Sequence, residues 1–147
     1  MRDVHTAAGY VVIGVNALAG MLGTLRWWQG RYTRAFWPLL RAGQLLVVLQ
    51  AAGGAVLLAE GRHLPRLHLI YGLVPLAVAF VAEQLRLASA DTILQQRGLE
   101  GSADVAKLPE AEQRALVSLI VRRETGVMAA SALVVALLAG RAQGWLL

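Results

Sequence analysis

The sequence predicts an all-α fold: an integral membrane four-helix up-down bundle with both termini extracytoplasmic. Three observations carry this. The chain is 57% apolar and 16% charged, with mean hydropathy +0.56, whereas soluble domains average roughly 45–50% and about 25%. Its apolar residues gather into four runs, at 4–25, 35–59, 67–88 and 126–139. Its charges fall at the ends of these runs and in the connections between them. A spanning helix needs about 20 apolar residues. The first three runs supply them, and the fourth is extended by Arg122, Arg123 and Arg141, whose stems can snorkel.

The first helix is expected over about 3–28, with Asp3 as N-cap and Trp27 and Trp28 in an interfacial belt. Its apolar stretch is too long for the h-region of a signal peptide, so it is read as a retained span. The short connection QGRYTR returns the chain into a second helix over about 35–60, with Trp37 in the same belt. EGRHLPR then leads into a third helix over about 65–89, with Pro65 in its first turn and Pro75 inside it, where a kink is expected. The segment 90–108 reads as a cytoplasmic loop, and Pro109 opens a fourth helix over about 109–143. The whole chain is one domain.

Orientation follows from the basic residues. Ten of the 14 lie on one side: Arg26, Arg31, Arg34, Arg41, Arg86, Arg97, Lys107, Arg114, Arg122 and Arg123. The positive-inside rule makes that side cytoplasmic. The net charge of +5 is thereby accounted for by orientation and anionic lipid, and no nucleic-acid partner is needed. The absence of cysteine excludes disulfides, thiolate metal sites and thiol nucleophiles. No zinc-spaced ligand cluster, P-loop or dinucleotide fingerprint occurs, and the serines of the later helices have no histidine base near them. No catalytic residue is expected.

Polar residues at depth need partners. Arg41, Glu83, Arg86, Arg122, Arg123 and Glu124 all fall near the cytoplasmic helix ends, where a structural polar cluster of Arg41, Glu83, Arg123 and Glu124 is expected; Glu83 lies about 22 Å along the helix from His68. Asn16, Gln44 and Gln50 sit deeper and can hydrogen-bond between helices.

The chemistry-bearing pattern is at the opposite end. HTAAG at 5–9 and HLIYG at 68–72 share the spacing H-x-x-x-G. In an up-down bundle the first and third helices run parallel, so His5 and His68 start them at similar depth. Gly9 and Gly72 lie one turn deeper on the same faces. Two neutral imidazoles can ligate a haem iron from opposite sides, and a glycine one turn along clears space for the macrocycle. Arg2, Arg62 and Arg66 are available to propionates, and Tyr10 and Tyr71 to the pocket wall. His63 reads as a loop residue. Equally, histidine at an interface and glycine in a spanning helix are ordinary structural features.

From Gln50 the chain reads QAAGGAVLLAEGRHLPRLHLIYG. This resembles the haem A synthase family, in which a Gln-x-x-Gly-Gly helix precedes a ligand histidine opening the next helix; the likeness extends over about 4–80. The resemblance implies four-helix units with ligand histidines on alternate helices, hence His5 and His68 as haem ligands and Gln50, Gly53 and Gly54 on the helix between. The chain departs from the family in two ways. No glutamate stands one turn before His5, and Asp3 is on another face. There is one four-helix unit where most members have two. Haem-oxidising catalysis is therefore not implied.

The resulting expectation is a small membrane protein holding one haem b for electron transfer or haem storage, with quinone or a respiratory membrane complex as partner. A cofactor-free accessory subunit of a larger membrane complex is the alternative. A small-molecule transporter is a third reading, for which the sequence offers mainly Pro75.

Overall fold

A computed structural model describes residues 2–63 and 65–145, with Arg2 as backbone only. It contains four long helices, α1 (Arg2–Trp28), α2 (Phe36–Ala59), α3 (Arg66–Gln96) and α5 (Glu110–Ala142), with a one-turn helix α4 (Ser102–Val105) between the last two. No strand occurs among the described residues. All four long helices are long and apolar enough to cross a membrane.

Each long helix stops in the same way. Gly30, Gly61, Gly98 and Gly144 take positive φ two residues beyond the last helical residue. The amide of the next residue then bonds back over the final turn, Arg31 to Arg26, Arg62 to Leu57, Leu99 to Leu94 and Trp145 to Gly140. This is the Schellman closure, which uses a left-handed residue that glycine adopts without a steric cost. At the other ends, Pro65 and Pro109 sit at N-cap positions with extended ψ. Asp3, expected as a cap, instead lies in the first turn of α1, where its charge still complements the helix dipole.

The third helix ends seven residues later than expected, at Gln96 rather than 89, which shortens the connection to 97–109. The loop signals Gly98, Gly101, Ser102 and Asp104 all lie beyond this extension. The hydroxyls of Ser89 and Thr92 bond to Leu85 O and Ala88 O within the helix, both at 2.6 Å. Ser89 and Ile93 are buried, as is Leu116 on α5, so the extension packs as one face. α3 also continues through Pro75 without interruption. In the connection, Asp104 accepts from Lys107 Nζ at 2.7 Å and from the Glu100 amide at 3.1 Å. These bonds hold its carboxyl below the ordinary aspartate range.

The bundle is unevenly closed. α5 is the spine: α1 and α3 both pack along it, α2 packs on α1, and α2 and α3 meet only sparsely. The apolar windows of α2 and α3 are accordingly 17% and 11% buried, against 33% for α1 and α5. Small residues bring α1 onto α5. Ala19, Ala129 and Ala132 share a core with Phe36, Leu40, Ala82 and Met128. A second core joins Val12, Val47 and Val135 nearer the histidines. Between the two, buried Asn16 donates to Val12 O at 2.9 Å and reaches Gly43 O of α2 at 3.4 Å. It meets the demand of a buried amide by linking two helices.

Candidate functional site

At one end of the bundle the starts of α1 and α3 meet the ends of α2 and α5. His5 and His68 face each other with ring centroids 6.2 Å apart and planes inclined by 58°. Thr6 O receives the Gln143 amide at 3.4 Å, and Ala142 O meets His68 Nδ1 at 3.0 Å. These contacts bring residue 5, residue 68 and the end of α5 to one level, so α1 and α3 run opposite to α2 and α5.

The backbone fixes each imidazole differently. The Ala142 carbonyl can only accept, so the Nδ1 of His68 is the donor, and a neutral ring would leave Nε2 as the acceptor. His5 lies against α2, where a Cβ on Gly53 or Gly54 would come 3.5 Å from its ring. Both glycines border that ring at ordinary van der Waals distance. Gln50 Nε2 donates to His5 O at 2.8 Å and contacts His5 Nε2 at 3.3 Å.

A cavity of about 270 Å³ extends from the histidines toward Pro75, lined by apolar residues and by Gln50, Tyr71 and Gln143. It lies at the seam where α2 and α3 barely touch. The two glycines of the repeat are unequal here. Beside Gly72 the space is open, with no atom within 4 Å of a Cβ position. Gly9 is covered by the side chain of Gln143. Tyr71 lines the cavity, with the Arg141 guanidinium 5.6 Å above its ring. Arg62 and Arg66 are exposed and do not line the cavity; Arg141 does not line it either and reaches it only through the Tyr71 ring. Tyr10 is also outside it, stacked on Trp145 at 5.4 Å. His63 is exposed in the α2–α3 turn, and the Arg2 side chain lies outside the described residues.

Two imidazoles are too few donors for a bare ion and are the number that a six-coordinate tetrapyrrole iron takes from a protein. Among the described residues no group of three His, Cys, Asp or Glu could hold a metal, but a porphyrin supplies four of six ligands itself. Two metal–imidazole bonds of roughly 2 Å each, plus the ring radii, put the centroids of opposed imidazoles about 6 Å apart. The observed 6.2 Å matches this spacing.

The opposite end holds the expected polar cluster with one substitution. Glu83 is bound through both oxygens by Arg41, and also receives Gln44 Nε2 at 3.0 Å and Arg86 Nε at 2.9 Å. Arg86 continues to Glu124 at 3.7 Å and lies 5.9 Å from the Trp37 ring. Arg123 is exposed and makes no ion pair among the described residues. Arg86 takes its place because it stands one helical turn from Glu83. Glu83→Gln is expected to cost about 1–2 kcal/mol, less than the 3–5 of a fully buried pair because the site is a quarter exposed. Thermal unfolding in detergent would measure it.

Comparison of the chain with protein-family models, with characterised proteins and with solved structures returned no match.

Proposed function

We propose that this is a multi-pass protein of a cell membrane that holds one b-type haem between His5 and His68, near the extracytoplasmic face. The facing of two imidazoles at 6.2 Å, beside an apolar cavity, is the observation that carries the reading. His68 is already oriented by Ala142 O, and the bare surface of Gly72 leaves space beside α3. A macrocycle larger than the cavity would extend into the α2–α3 seam and displace the Gln143 side chain, which is held by one long hydrogen bond. Bound there, haem b would supply one-electron chemistry, with quinone or a respiratory membrane complex as the exchange partner. Tyr71 stands at the wall with Arg141 over its ring, and Arg66 is two residues before His68.

The accessory-subunit reading has one observation in its favour. Gln50 and Gln143 satisfy backbone carbonyls and cover His5 and Gly9, which by itself ties three helix ends together. The two readings part on purified protein expressed with ample haem. The haem reading expects close to one haem per chain, unchanged in His63→Ala. Colourless wild-type protein would leave the accessory reading standing.

A further inference from the structure

At the end of the bundle away from the histidines, α1 stops well before α5 does. Trp27, in the last turn of α1, abuts Gly126, where a Cβ would lie 2.7 Å from Nε1. Residues 110–125 of α5 therefore continue beyond that level, about 24 Å of helix. This forms a ledge, and on it lies a cavity of about 600 Å³. Its walls carry four guanidiniums, Arg26, Arg31, Arg114 and Arg122, together with Trp27 and Tyr32. No acidic side chain is among the lining residues. Arg114 has an exposed partner in Glu110 at 3.3 Å, an arrangement worth little in water. Arg31 and Arg122 make no ion pair among the described residues.

Arg26 is the informative member. Its Nε is buried without a hydrogen-bond partner, and the guanidinium has only a 3.4 Å contact to Gln29. A buried N–H without a partner is costly, and native structures seldom leave one unexplained. Four arginines around one cavity, with apolar Val117 and Val121 on the same α5 face, match a phosphate group attached to something apolar. The level is also right. Arg26 is 21 residues beyond His5, about 32 Å along α1, which is one hydrocarbon thickness.

We infer that this ledge is a phosphate-binding site filled by the headgroup of an anionic phospholipid, whose acyl chains run down the apolar surface below. The inference rests on the membrane-spanning reading but not on the haem, which lies at the far end. Basic pockets between helices at a membrane surface recognise such headgroups.

The test is native mass spectrometry of the full chain in detergent, titrated with phosphatidylglycerol, phosphatidylcholine or inorganic phosphate. Wild type is expected to retain one phosphatidylglycerol in preference to phosphatidylcholine. In Arg31→Gln/Arg122→Gln, both exposed and so compatible with folding, retention should weaken at least about ten-fold. Arg123→Gln removes a neighbouring charge outside the cavity and should bind as wild type does; helicity is matched by circular dichroism. Equal retention of phosphatidylcholine, or equal loss in Arg123→Gln, would overturn the site. Displacement of the lipid by millimolar phosphate would overturn the lipid source.

Discussion

Gly23→Val is expected to destabilise the bundle by about 3 kcal/mol, at the upper end of ordinary overpacking effects. A Cβ at Gly23 would collide with the ring of Phe36 and lie 2.7 Å from the Cβ of Ala129. Both neighbours are about 1% exposed, and neither contact is with the far end of a flexible chain. The collision therefore pushes α1 away from α2 and α5 together. Gly14→Val, on the same helix with nothing within 4 Å, is the control and should be nearly neutral. Unfolding midpoints of the two variants in one detergent would separate local packing from the general effect of replacing glycine. Similar losses in both would remove α1–α5 contact as the organising interface.

His68→Ala is expected to lower haem affinity by about 100-fold or more, since even outer-shell partners of metal ligands are worth 10–100-fold. The loss should be specific to the ring. His68→Met would retain haem with a raised midpoint potential, because thioether ligation favours the reduced iron. Gln50→Leu is informative in the other direction. Its amide contacts His5 Nε2, so removing it frees that nitrogen and should strengthen haem binding. Titration of haem into purified apoprotein, followed by absorbance, gives the affinities, and a redox titration of the loaded His68→Met variant gives the potential. Identical affinities in wild type and His68→Ala would exclude His68 as a ligand.

The meeting of His5 and His68 was legible in the sequence because it depends only on depth and alternation. Two short connections make α1 and α3 parallel, and both histidines open their helices. Features that depend on rotation about a helix axis were not legible. Arg86 and Arg123 both had suitable depth for the polar cluster, but only Arg86 faces Glu83 and Glu124. The same limit hid Gln143, which reaches Gly9 from the end of α5, and left Tyr10 on the wrong side of α1. AAGG at 51–54 and the AG pair at 19–20 both read as small-residue surfaces for close helix approach; the approach occurs at Gly20, and also at Gly23, whereas Gly53 and Gly54 border the His5 ring. One signal was present and unused. The glycines of QGR, EGR, RGL and QGW each stand two residues past a helix end and mark all four boundaries, including the long end of α3.

The uneven closure of the bundle shapes the histidine end. α5 holds α1 and α3 at the spacing that brings the two imidazole centroids to 6.2 Å, while the loose α2–α3 seam leaves the cavity open at its side. Axial ligation tests this directly. Electron paramagnetic resonance of the oxidised, haem-loaded protein is predicted to show low-spin, six-coordinate iron, converting to high-spin in both His5→Ala and His68→Ala. A high-spin wild type, or a low-spin signal that survives in either variant, would contradict it.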